Sequence, residues 1–482
     1  KNTKARSASV YSSQSGTSTS INTSQNETHT ISSTNNTLII GSNGTIQVSS
    51  GAAVDFKQDS STASFINKGL ITSNNDAAGI KVGNPSGSGA TIETFINEGI
   101  IGHDSSKFGV KIWEKSTINN FNNSGTIAAK LEGVSISGNL NIQSFTNSGL
   151  ISGGKGVNLG QGSMTNFTNA SGGTIQGTEA GVVINTKIDT FTNEGFINSP
   201  GSGEWSNGIW INGDTSIKNF SNTGTIQGGG NGIYMNYENS SNSQGSYIKN
   251  FSNTGTIKGK ISGIILANST IDNFTNDGLI ESTGEYGAID LQSFYQGVSL
   301  IKTLENKGTI KGLNDGIIVE TGNKIETLVN KGTIEATNGN GISFYFMQHA
   351  ATEIDLGNII LENGSKIIAG NNGINVDITQ IDASNEQTTI KGQGIDVKKG
   401  ASVIGKNGAG IYIGDGQELN TQITISGEVS GGAAGIVNEG IIGGSSNDDK
   451  KGGIIISGGS VSSSSGGSGI VNQGNGSIAG EI

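Results

Sequence analysis

Apolar and polar positions follow one short rule along most of this chain. Phe or Leu recurs at 65, 95, 121, 145, 167, 191, 220, 251, 274, 304 and 328, at intervals of 22 to 31 residues. Asn stands two residues later in all eleven copies. Gly stands four residues later in all but the copy at Phe167, where two extra residues precede Gly173. Such self-similarity reads as a stack of units, each burying its apolar face against its neighbours.

Three apolar pieces recur within each unit. One is Ile-x-x-Phe, as in Ile92/Phe95 and Ile188/Phe191. The second centres on the Ile after the Gly, from Ile71 to Ile334. The third is Gly-Ile-x-Val, as in Gly79-Ile80-Lys81-Val82 and Gly316-Ile317-Ile318-Val319. Strands of 3–5 residues with β-branched residues inward and Gly or Asn at the corners predict a parallel β-helix, all-β, with three short strands per coil. Gly and Asn interrupt every window in which a helix could form.

The organisation follows. Residues 1–36 are Ser/Thr/Asn-rich and read as a polar leader or irregular N-terminal cap; 37–346 carry the regular coils; 347–482 keep Gly-Ile-x-Val without the Asn motif and read as degenerate coils. About 17 coils at the inter-strand spacing of about 4.8 Å make a rod on the order of 80 Å.

The Asn column comprises Asn67, Asn97, Asn123, Asn147, Asn169, Asn193, Asn222, Asn253, Asn276, Asn306 and Asn330. Asn tolerates positive φ at a corner, and stacked amides at strand spacing can hydrogen-bond from coil to coil. The column is therefore read as a structural ladder.

Composition narrows the classes. Gly is 79 of 482 residues and Pro only 2, which is neither collagen-like nor linker-like. Both Pro85 and Pro200 fall in segments read as loop insertions, because Pro cannot donate to a strand ladder. A net charge of −11 argues against nucleic acid as a partner. The chain has no Cys, which fits passage through an oxidising compartment unfolded and also fits a cytosolic chain without thiols. No apolar run of 18 residues is present to span a membrane as a helix. The start at Lys1 lacks a signal peptide, so the chain reads as a mature or excised fragment.

The Phe-Thr-Asn-x-Gly-x-Ile coil, the Ser/Thr/Asn/Gly-rich surface and the absence of Cys resemble autotransporter passenger domains, particularly the Campylobacter-type autotransporter adhesins. The resemblance covers about 61–346 well and the remainder loosely. It implies a right-handed β-helix, exported through the outer membrane to the bacterial cell surface or beyond, with a non-enzymatic role in attachment to host cells. The C-terminal translocator barrel of such proteins needs strands of about ten residues, and 430–482 has none. The resemblance transfers no binding residue.

Candidate chemistry is sparse. Asp189, Asp214, Asp272, Asp290 and Asp315 sit at different coil positions, with no carboxylate pair recurring in register as a glycosidase would need. His29, His103 and His349 lie far apart, so no metal site and no cofactor is expected. Gly87-Ser88-Gly89 and Gly201-Ser202-Gly203 are loop composition, not nucleophile elbows.

Alternation along a strand points the x residue of Gly-Ile-x-Val outward. Read down the stack, that column is Lys81, Lys111, Ser135, Asn158, Val183, Trp210, Tyr234, Ile265, Asp290, Ile318 and Ser343. Four consecutive members, Val183 to Ile265, are apolar or aromatic, and the neighbouring insertions add Trp205, Tyr237 and Tyr247. Val183, Trp205, Trp210, Tyr234, Tyr237, Tyr247 and Ile265 are therefore the candidate partner-binding residues, for a host-cell surface protein, a glycan or a second copy of the chain. A self-associating structural rod, a toxin-type passenger and a polysaccharide-degrading β-helix enzyme rank below the adhesin reading. Insertions folded over the stripe would bury it as a satellite core.

Overall fold

A computed structural model describes residues 11–12, 16–74, 77–138, 140–236, 245–293, 297–345, 354–377, 388–443 and 453–478. These residues are strand and turn without helix, stacked as a parallel β-solenoid of about 15 turns. They divide into two compact units, Lys1–Ile211 with Thr215–Gly228, and Gly229–Ile482 with Asn212–Asp214.

In the first unit the second and third expected strands run together in Leu150–Leu159 and Thr174–Ile184, and other regular coils have three separate strands. Thr91–Asn97, Ile100–Gly102 and Phe108–Ile112 form one such coil. Each strand pairs in parallel with its equivalent one coil away, so Phe95 lies against Phe65 on one side and Phe121 on the other. Inward positions are closed to water: Phe95, Ile101, Val110 and Ile112 are all fully buried. The phenyl rings stack from Phe95 through Phe121, Phe145, Phe167 and Phe191 to Phe220, at 4.6–4.9 Å between centroids and only 2–6° between planes. Strand spacing fixes that distance, and identical residues in one register stack with their planes parallel.

The leader is partly built into the stack. Ser18–Ile21 pairs with Thr34–Ile40, which pairs in turn with Ser61–Asn67.

The asparagine ladder runs inside the first unit as Asn67–Asn97–Asn123–Asn147–Asn169–Asn193–Asn222. Each Nδ2 donates to the next Oδ1 at 2.7–2.9 Å. It also donates to the carbonyl of its own motif glycine, as Asn123 does to Gly125 at 3.2 Å. The corner conformation differs from expectation. No ladder asparagine has positive φ; the side chain, rather than the backbone, turns inward to satisfy the corner. The motif glycine has a different requirement as well. A Cβ on Gly125 would collide with the carbonyl oxygen of Gly99 one coil below, so close approach of backbones excludes a side chain there.

The second unit repeats the plan with changed fillings. Asn253, Asn276, Asn306 and Asn330 form its ladder at 2.8 Å per step. Phe251 and Phe274 meet at 54° rather than stacking flat, and Leu304 and Leu328 replace Phe in the next two coils. Beyond 354 the coils gain a strand. Ile354–Asp355, Thr388–Lys391, Gln417–Leu419, Ile441–Ile442 and Ser477–Ile478 make a further stack where three strands per coil were expected. An asparagine rung recurs in this region, Asn438 donating to Asn472 Oδ1 at 2.7 Å and to the Gly440 carbonyl at 3.0 Å.

Candidate functional site

The Gly-Ile-x-Val register holds. In the first unit Lys81, Lys111, Ser135, Asn158, Val183 and Trp210 are successive partners on one outward face. In the second, Tyr234, Ile265, Asp290, Ile318 and Ser343 are. The expected exposure does not hold. Val183 is 4% exposed, Tyr234 6% and Ile265 5%. Alternation fixes which way a side chain leaves the strand and says nothing about what lies above it. Burial raises the Tyr234 phenol to about 12.

Of the seven candidates, Val183, Trp205 and Trp210 come together in the first unit. Trp210 follows Val183 in register and is half-buried. Trp205 arrives from the segment between strands Phe196–Ser199 and Asn207–Ile211. Its ring lies on that of Trp210, 6.3 Å between centroids and 27° between planes. Among the contacts that hold the segment, the Ser206 amide donates to the Gly203 carbonyl at 3.0 Å, the Asn207 amide to the Trp205 carbonyl at 3.0 Å, and the Ser206 hydroxyl to the Thr178 carbonyl at 3.4 Å. Trp205 itself is 60% exposed.

The other candidates part company. In the second unit Tyr234 and Ile265 are neighbours in register but buried. Tyr247 belongs to the phenylalanine-bearing sheet and not to the column. Its hydroxyl donates to Asp272 Oδ2 at 2.6 Å, and that hydrogen bond raises the phenol to about 12. Tyr237 and His349 lie outside the described residues.

Two groupings on this face were not legible as sites. Lys111, in the first unit, is 9% exposed. Its ammonium stands over the rings of Phe108 (4.6 Å) and Trp113 (4.8 Å) and donates to the hydroxyls of Ser135 (2.7 Å) and Ser137 (2.8 Å). Desolvation lowers its pKa against the pull of Glu132. The spacing Phe108-x-x-Lys111-x-Trp113 carries a signal, since alternation places 111 and 113 on one face.

The second grouping is acidic. Asp290 is fully buried; its Oδ2 accepts from Gln292 Nε2 at 2.8 Å while its Oδ1 has no partner. Glu320, on the next coil and 3% exposed, accepts from the Ser293 amide at 3.1 Å. Burial first, and a neighbouring acid after it (Asp315 and Asp290 respectively), push Asp290 up to about 7 and Glu320 up to about 8. Asp290 and Asp315, taken from the sequence as unrelated, are thus electrostatically linked through the fold. Among the described residues no three of His, Cys, Asp and Glu gather as a metal-holding set, and no helix is long and apolar enough to cross a membrane.

The chain matches no protein-family model, no curated protein and no solved structure.

Proposed function

We propose that this chain is a non-enzymatic adhesin, an autotransporter-type passenger displayed at or released from a bacterial cell surface, attaching to host cells. The observation that carries the reading is Trp205, a large aromatic left 60% exposed and stacked on a second tryptophan in a chain whose outward surface is otherwise mostly Ser, Thr, Asn and Gly. Exposed tryptophans are typical anchors of binding surfaces. The stacked, ladder-bonded coils beneath it supply a rigid platform, so binding costs little ordering entropy.

The test applies fluorescently labelled chain to cultured animal cells. Saturable binding, displaced by unlabelled chain and lost in the Trp205→Ala/Trp210→Ala variant, is the expected result. Absence of saturable binding, or equal binding by the double variant with an unchanged far-ultraviolet circular dichroism spectrum, overturns the reading.

A further inference from the structure

The Trp205–Trp210 pair defines a small platform, and its size and surroundings say what it can hold. About 150 Å² of one indole is open, from its 60% exposure and a full side-chain area of roughly 250 Å². Within the first unit the exposed apolar surface does not continue to Val183, the neighbour of Trp210 in register, which is buried. A standard protein–protein contact covers about 800 Å² on each side with an extended aromatic core. The platform offers one ring's worth.

Its neighbours are short and polar: Ser202 and Thr178 are exposed and carry hydroxyls, Ser206 is buried with its hydroxyl on the Thr178 carbonyl, and Gly201 and Gly203 add no side chains. Residues 196–211 carry a single charged side chain, Glu204, and neither Lys nor Arg. On the preceding coil Glu179 is exposed. The local charge is negative, so a carboxylated or sulfated ligand would be repelled.

We propose that this platform binds the apolar face of a neutral pyranose, the C–H groups of one sugar ring lying on the Trp205 indole while the surrounding hydroxyls and backbone groups meet the ring's hydroxyls. A pyranose face matches one indole in area, needs no charge partner, and gains from a flat, weakly hydrated aromatic. The inference rests on the adhesin reading for its biological setting and names the ligand class of that same site.

The test is tryptophan emission of the intact chain, with Trp113→Phe introduced to remove the third indole. The probes are lactose, N-acetyllactosamine, maltotetraose and cellotetraose as neutral sugars, with sialyllactose and heparin fragments as anionic ones. At least one neutral sugar should shift the emission saturably in the millimolar range, with the anionic probes weaker. Trp205→Ala should weaken binding by about tenfold or more, and Trp205→Phe should restore part of it. No saturable response to any neutral sugar, tighter binding of an anionic one, or unchanged affinity in Trp205→Ala overturns the inference. Cell attachment that survives such a failure leaves the adhesin reading standing with a different ligand. Sugar binding without cell attachment leaves the platform standing and removes the adhesin reading.

Discussion

The Asn147 amide donates to Asn169 Oδ1 at 2.9 Å across two coils whose sequence separation is 22 residues, and both side chains are fully buried. Because Asn123 donates in turn to Asn147 at 2.7 Å, each ladder residue is both donor and acceptor. Asn147→Asp keeps the shape and removes the donor, placing a carboxylate against the Asn169 oxygen in a dry site. The expected cost is about 3–5 kcal/mol, against about 1–3 kcal/mol for Asn147→Ala. Since each coil touches only its neighbours, the loss should be local. Hydrogen exchange should accelerate from about 121 to 193 and stay unchanged around Phe65. Uniform acceleration, or none, would contradict a nearest-neighbour ladder.

The phenylalanine stack makes a graded prediction. Phe145 sits between Phe121 (4.7 Å, 6°) and Phe167 (4.9 Å, 2°). Phe145→Ala should cost about 3–5 kcal/mol through the cavity it opens. Phe145→Leu should cost less, about 1–3 kcal/mol, because most of the volume is kept and what is lost is chiefly the ring–ring term of about 0.5–1.5 kcal/mol for each of its two pairs. The second unit already uses Leu304 and Leu328 at this position. Denaturant titrations of the two variants check the ordering.

The residues of the repeat made the coil legible, and the reason is that their roles are local. Phe145, Asn147 and Ile151 each meet their own copies one coil away, so a column read from sequence is a column in space. The site depends on segments that do not repeat. Val183 and Ile265 leave their strands on the outward side as read, yet both are buried. Trp205 reaches Trp210 because of the conformation of one insertion, for which no repeat supplies a template. Asp290 and Glu320 occupy different positions of the coil rule, and only the fold shows that a residue two places past Ile318 reaches the neighbourhood of Asp290. The asparagine column was legible as a hydrogen-bonded ladder, and only the positive φ expected of its corners is absent; the glycine was legible in identity, while its cause, backbone collision between coils, was not.

Lys111 tests what a buried ammonium contributes on this face. It is held by two rings and two serine hydroxyls rather than by a bonded carboxylate. Replacing a buried charge by an apolar side chain of similar length is often close to neutral. Lys111→Met should therefore change stability by no more than about 1–2 kcal/mol, the ring contacts being kept and the two hydroxyls losing a partner. Lys111→Glu should cost more than Lys111→Met, because an anion faces two ring faces of negative quadrupole. Thermal melts of both variants separate these outcomes, and near-equal losses would show that the charge contributes nothing.

Asp290 and Glu320 give the second unit a pH dependence of definite sign. Ordinary values for these side chains are 3.8 and 4.5, and burial raises them to about 7 and about 8 in the fold. The folded state therefore holds protons that the unfolded chain releases. Stability is complete below about pH 4 as far as these two groups are concerned, and falls as pH rises through the window from about 4 to about 8. The surroundings offer only partial relief: the Gln292 side chain donates to Asp290 and the Ser293 amide to Glu320, each favouring the ionised form less than burial opposes it. Asp290 lies between Ile265 and Ile318 in register, Asp315 is a further acid, Tyr345 is the neighbour of Glu320 on the following coil, and among the described residues no lysine acts on either carboxyl. Ionisation puts charge on a buried Asp290 whose Oδ1 has no partner, and on a buried Glu320 that the Ser293 amide compensates only in part. Hydrogen exchange of residues 289–323 should accelerate between pH 6 and pH 9 beyond its intrinsic pH trend, and that excess should disappear in Asp290→Asn/Glu320→Gln. If the double variant keeps the excess, these two carboxyls are not its source.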